Sequence, residues 1–167
     1  MLSFGALSPS NESAVQTLIE SNPGYTMRVS GRIPGPTDGA DVLRDAPPDL
    51  PPEGKHCLGV WLDGTLAGVA DVLQAWPDPH TAHIGLLLVH GDHEGKGLGR
   101  ALHDYVLSEV RGWPDVTTMR LGIVETNAAG AAPFWAALGY QPTGRVVPFQ
   151  DGTVETTVAV WTRPVEV

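Results

Sequence analysis

Three glycines at alternate positions constrain this chain more than any other feature. Gly95, Gly97 and Gly99 stand in the run His93-Glu94-Gly95-Lys96-Gly97-Leu98-Gly99-Arg100-Ala101-Leu102, between an apolar segment and a periodic one. Ile84 to Val89 reads as a buried strand, while Leu98, Leu102, Tyr105, Val106 and Val110 recur at helical spacing up to about Arg111. A strand that enters a helix through such a turn restricts the chain to α/β architectures. Without Cβ atoms in the way, the turn's amides can close around a ligand. The helix N-terminus adds free N–H groups and a dipole that favours an anion. Lys96 and Arg100 bring two positive charges to a protein of formal net charge −9. The loop is built for phosphates.

Elimination narrows the ligand. A Walker A loop needs glycine five residues before its Gly-Lys pair and Ser or Thr after it, and His90 and Gly97 stand there instead. The dinucleotide fingerprint fails too, since its third glycine would fall on Arg100 or on Leu102. The remaining pattern, Gly-x-Gly-x-Gly after a strand, resembles the acyl-coenzyme A loop of the GNAT N-acetyltransferases. Further blocks carry the same resemblance. Leu87-Leu88-Val89-His90-Gly91 stands where that family reads L-x-V-x-P. Ile123-Val124-Glu125-Thr126-Asn127, then Phe134-Trp135 and Leu138-Gly139-Tyr140, follow in the family's order. The likeness spans residues 81 to 145.

At 167 residues the chain fits one domain with a real core, and 42% hydrophobic against 17% charged residues is a globular balance. No apolar run approaches the ~20 residues of a membrane span, and no secretory signal opens the chain. A single cysteine, Cys57, excludes an internal disulfide and suits a reducing, cytoplasmic setting. Nineteen acidic residues against ten basic ones disfavour nucleic acid as a partner and favour cationic amines.

Along the chain, Leu2 to Leu7 reads as a strand, and a helix capped by Ser10 or Asn11 runs to about Ser21. Residues 31 to 54 are crowded with Pro and Gly and read as a loop or lid holding one short helix, around Ala40 to Asp45. A hairpin follows, His56–Leu62 and Leu66–Ala75 around Asp63-Gly64, and then a strand over Thr81–Val89. After the glycine-loop helix come a strand over Val116–Val124 and a closing hairpin, Arg145–Phe149 with Val154–Arg163. The expected fold is a single-domain α/β structure over 1–167, a mixed and mostly antiparallel sheet flanked by helices, in the order that GNAT folds use.

The resemblance implies acetyl transfer from acetyl-CoA, a cosubstrate, to a primary amine of a small molecule or peptide by direct attack. It implies that amides from Gly95 through Lys96, Gly97, Leu98 and Gly99 to Arg100 cradle the pyrophosphate. The pantetheine would pair with the backbone of Leu87, Leu88 and Val89, Asn127 would lie beside it, and Phe134 would cover the cofactor. An alkyl amine with a pKa of ~10.4 is neutral about once in 2,500 molecules at pH 7, so a base matters. His83 is the first candidate, on the strand leading to the loop, with Glu125 second and Asp71 third. Two residues depart from the family pattern: Glu94 where Arg or Gln is usual, and Trp135 where a tyrosine often protonates the leaving thiolate. Both keep open a non-catalytic acyl-CoA-binding module on the same fold. His80/His83 and His90/His93 are spaced for no helical metal pair, and no metal is expected. Pairing into a homodimer is common in the family and is expected here.

Overall fold

A computed structural model describes residues 1–166. Seven strands form one sheet in the order β1-β2-β3-β4-β5-β7-β6. They are β1 (Leu2–Ala6), β2 (Lys55–Leu62), β3 (Thr65–Gln74), β4 (Thr81–Val89), β5 (Thr118–Val124), β6 (Gln141–Asp151) and β7 (Val154–Pro164). Among the described residues, β4 and β5 alone pair in parallel; every other neighbour is antiparallel. The helices α1 (Glu12–Glu20), α2 (Pro23–Ser30) and α3 (Asp38–Arg44) cover one face. The other face carries α4 (Leu98–Val110) and α5 (Ala128–Ala137).

The core follows the two periods read in the sequence. Leu102, Val106 and Val110, with no measurable exposure, seat α4 on Val60, Val72 and Ile84 of the sheet. Val15, Leu18 and Ile19 of α1 bury against Val69 and Leu88 on the opposite face. Tyr140 is a core residue. Its hydroxyl lies 2.8 Å from His103 Nε2 inside the α4 layer.

β4 changes face halfway along. Val72 pairs with Ile84 and Asp71 with Leu86, so Gly85 is an extra residue, a β-bulge. Before it, Ala82 and Ile84 face α4. Beyond it, Leu86 and Leu88 face α1, and Leu87 takes the α4 side. The parallel pairing with β5 ends at Ile84–Leu121, one residue before the bulge. From there β4 and β5 diverge, leaving one edge of β4 unpaired. That opening is the feature around which the site is built.

Three elements differ from the expectation. A helix, α2, occupies residues 23–30, a stretch to which the sequence reading assigned no element. Pro23 sits in its first turn, where a missing N–H costs nothing, and Gly31 ends it at φ 72°. The Pro/Gly-rich segment is also more ordered than a lid. Its helix α3 packs on α1 so closely that a Cβ on Gly39 would lie 2.6 Å from the Gln16 amide nitrogen. The Gln16 side chain holds both sides, accepting from Gly39 N (2.7 Å) and donating to Gly35 O (2.8 Å). The closing hairpin is longer than expected, because Pro142 and Pro148 sit on the sheet's outermost strand, where missing donors do no harm.

Candidate active site

The divergence of β4 and β5 opens a cavity of about 700 Å³, running from Ile84 and Leu121 out to the glycine loop. The orientation of the β4 peptides there can be read from two hydrogen bonds. His90 N donates to Ala67 O of the β3 segment (2.8 Å), and Val89 O accepts from Asn22 Nδ2 on the other side (3.0 Å). Peptide groups alternate along a strand. Leu88 therefore turns its N–H and C=O towards β3, while Leu87 and Val89 turn theirs to the open edge. Of the three residues expected to pair with a ligand, Leu87 and Val89 offer backbone to the cleft. Leu88 offers none; its peptide belongs to the sheet and its side chain to the α1 core.

At the far end the loop takes the shape the glycines allow. Gly95 and Gly97 have φ of 76° and 82°, in the left-handed region, and a Cβ on either would meet nothing within 4 Å. Gly97 caps α4, whose first internal bond runs from Ala101 N to Gly97 O (3.0 Å). The amides of Leu98, Gly99 and Arg100 precede that bond and are free of helical partners. A Cβ on Gly99 would lie 3.0 Å from Phe134 Cε1, so the Phe134 ring rests on the start of α4. Arg100 lines the cavity, whereas Lys96 is exposed and lies outside its lining.

Glu94 is neither turned away from the site nor paired with a cation. Its carboxylate accepts from Asn22 Nδ2 at 2.7 Å, the same amide group that holds Val89 O. Ser21 Oγ accepts from Gly91 N (3.1 Å), and a Cβ on Gly91 would overlap the Ser21 carbonyl oxygen. Gly91, where the family carries proline, is thus fixed by the end of α1. Helix α2 spans the mouth of the cleft. Arg28 Nε donates to Asn127 Oδ1 (2.7 Å), and Thr126 Oγ1 donates to Arg28 O. Asn127 lines the cavity with its side-chain oxygen already engaged. Asn22, Tyr25 and Arg28 all border the cleft, and sequence reading named none of them. The available signal was Asn22-Pro23, a helix start with proline in the first turn.

The candidate bases are scattered. His83 lies outside the residues lining the cleft. Its Nδ1 accepts from Arg120 Nη1 (3.0 Å), and Trp76 packs edge-on at 5.1 Å. Burial, reinforced by the Arg120 charge, pushes it from 6.5 down to about 3, so it is not the titrating imidazole the sequence suggested. Glu125 is exposed, on the turn after β5, and does not line the cleft. Asp71 does better. Its Oδ1 takes Lys55 Nζ at 2.8 Å, and its Oδ2 faces the bulge, 3.0 Å from where a Gly85 Cβ would sit. Burial raises its pKa above the usual carboxylate range, against the pull of Lys55.

A second cavity, about 500 Å³, lies on the α1–α3 face and has Asp71 in its wall. It shares Tyr25, Val29, Gly85, Leu86 and Leu88 with the cleft, so the two meet at the bulge. Among the described residues no three His, Cys, Asp or Glu side chains converge as a metal site would require.

His83 and His103 have a consequence for stability. Burial lowers both, His103 to about 4, below their ordinary 6.5. Between pH 6.5 and 4 the unfolded chain therefore binds protons that the folded chain refuses, and stability falls as pH drops. The loss at pH 5 amounts to about 2 kcal/mol per imidazole. Asp71, raised, opposes it as one group against two. Thermal unfolding at pH 5 should give a Tm roughly 5 °C or more below that at pH 7. An equal or higher Tm would contradict the buried neutral state of these rings.

The acetyltransferase (GNAT) family model matches residues 26–140. No curated protein matches the chain. Solved structures do. An acetyltransferase from Thermus thermophilus is 23% identical, with a TM-score of 0.74 over 98% of this chain and 97% of its own. A putative GNAT acetyltransferase from Desulfovibrio desulfuricans is 19% identical, with a TM-score of 0.76 over 99% of both chains. The ribosomal-protein-S18-alanine N-acetyltransferase of Escherichia coli is 19% identical, with a TM-score of 0.70 over 100% of this chain and 96% of its own. At such identities these likenesses speak for the fold alone. The family match covers well over half of the sequence and takes in both the bulged strand and the glycine loop, and the chain belongs to the GNAT acetyltransferase family.

Proposed function

We propose that the protein transfers the acetyl group of acetyl-CoA to a primary amine of a small molecule by direct attack. One observation carries this reading: the unpaired β4 edge at Leu87 and Val89 runs straight into a loop with free helix amides. Such an edge accepts an extended amide-bearing arm as an added strand, and the loop accepts its diphosphate. The amides of Leu98, Gly99 and Arg100 take the phosphate oxygens, with the Arg100 guanidinium at the rim. The Val89 N–H pairs with the pantetheine arm, and Phe134 covers it. The Leu87 N–H, nearer the bulge and Asp71, donates to the thioester oxygen as it gains charge.

Asp71 is the base in this proposal. The amine nitrogen attacks the carbonyl carbon, its proton passes to Asp71 Oδ2, directly or through a water, and the C–S bond breaks. Trp135 is 8% exposed, packed between Phe134 and Tyr140, and its indole is no acid at neutral pH. The thiolate therefore leaves unassisted or takes a proton from water. A cytoplasmic location fits the buried thiol of Cys57, which is in no disulfide. Pairing into a homodimer fits the outermost strand β6, where Val146 is 57% exposed.

Calorimetric titration with acetyl-CoA and a free-thiol assay with an amine panel test the proposal. Uptake of acetyl-CoA, and thiol release that depends on an added amine, are expected. Folded protein that takes up no acetyl-CoA overturns the reading. Uptake without turnover of any amine would favour a binding module.

A further inference from the structure

We infer that the acceptor is a small amine carrying a second cationic group. It binds in the cavity on the α1–α3 face with its reacting nitrogen between Tyr25 and Asp71. The inference rests on the acetyl-transfer reading and specifies the other substrate of the same site.

The two groups at the junction point to a ligand. Tyr25 lines both cavities, and its hydroxyl takes part in no hydrogen bond among the described residues. Its side chain is half-buried, and desolvation together with Asp151 raises its pKa against the pull of Arg28. Asp71 is similar: Lys55 Nζ occupies Oδ1 at 2.8 Å, while Oδ2 has only the glycine bulge before it. A phenol oxygen and a carboxylate oxygen, both unclaimed, stand where the acceptor cavity meets the cleft. An ammonium or amine nitrogen, with two or three N–H groups, satisfies both.

The rest of the cavity states what the far end of the acceptor carries. Its wall holds five aspartates (Asp38, Asp41, Asp45, Asp71 and Asp151) against one arginine, Arg32. Arg32 is engaged by Asp38, which it grips with two nitrogens at 3.0 and 3.1 Å. Asp45 and Asp151 make no ion pair with a described residue. Asp45 lies close enough to Asp71 to raise its pKa, and Asp151 does the same to Tyr25. The position of Asp151 is built in. Its hairpin tip is seated on the end of α2, where Thr153 N donates to Ser30 O (3.1 Å). A Cβ on Gly152 would overlap that same oxygen.

The lining also has an apolar part, with Ile19, Val29, Val42, Leu86 and Leu88. The cavity is therefore one for an alkyl chain with a charge beyond it. The carboxylates are too spread to suit a metal ion, since no three among the described residues converge. A free amino acid would bring a carboxylate into this acidic surround, which repels it.

The test is steady-state acetylation of α,ω-diaminoalkanes of increasing length, beside the matched monoamines and ω-amino acids. The best diamine should exceed its monoamine at least tenfold in kcat/KM, the effect of about 1.4 kcal/mol of added binding. The ratio should shrink with salt, and the amino acids should be the poorest substrates. Replacing Asp45→Asn and Asp151→Asn together should bring the ratio towards one, and Tyr25→Phe should raise KM for the diamine. Monoamines or amino acids turned over as well as diamines would overturn the inference while leaving acetyl transfer intact. If acetyl-CoA binds but no amine turns over, calorimetric titration of diamine into the CoA complex decides; no uptake, or uptake equal to the monoamine's, overturns it. Absence of acetyl-CoA uptake removes the reading beneath it.

Discussion

Replacing Gly97 by valine should cost most of the proposed coenzyme A binding while the protein still folds. At φ 82° this residue stands in the left-handed region, where a non-glycine costs roughly 1–2 kcal/mol and a β-branched one is a true outlier. The protein itself has room, since no atom lies within 4 Å of the added Cβ. The open space is where the diphosphate is proposed to lie, so the substitution both strains the cap of α4 and fills the cradle. Affinity should fall at least 100-fold, roughly 2.7 kcal/mol, with a Tm loss of only a few degrees. Gly64 supplies the control. It has φ 87° in the β2–β3 turn, equally free of neighbours, and far along the chain from the loop. Gly64→Val should lower Tm comparably and leave coenzyme A binding unchanged. Titrations in which the Gly97 variant binds like the parent would remove the loop from the site.

Asp71→Asn should lower kcat about 10²- to 10⁴-fold, the range of a lost general base, and leave acetyl-CoA affinity intact. The amide keeps the volume and an acceptor oxygen for Lys55, but it cannot take a proton. Lys55 is 9% exposed, so its loss of a counter-charge will cost stability. Retained acetyl-CoA binding by the variant therefore serves as the check that it is folded. The pH profile gives a second readout. Because burial holds Asp71 above the ordinary 3.8, the acid limb of kcat should lie above that of a free carboxyl, the rate rising as pH climbs through it. The raised value also means that folding favours the protonated acid, so Asp71 costs stability as pH rises through its folded pKa. A variant within threefold of the parent kcat would move the base elsewhere.

Much of this site could be read in the chain before any coordinates. The glycine spacing gave the loop, and the apolar run Ile84–Val89 gave the strand that leads to it, because both signals are local. The bases were a different matter. His83 sits on the right strand, yet the bulge at Gly85 changes which face each later residue occupies. His83 precedes the bulge and ends against Arg120 and Trp76; no spacing rule shows that. Asp71 ranked third because nothing in its own segment marks it. Only the bulge of the neighbouring strand leaves its Oδ2 uncovered. Glu94, which looked like a defect in an anion site, is held by Asn22, 72 residues away in sequence.

The sequence by itself determined most of the alternation of strands and helices, the buried faces and the glycine loop. These depend on backbone preferences and on periodicities that neighbouring residues express within a few positions of one another. The tertiary structure alone decided where β4 parts from β5, which peptides face the gap, and which carboxylate stands bare beside it. Each of those follows from one surplus residue in a strand pairing, and a pairing is a relation between distant segments that neither one encodes alone.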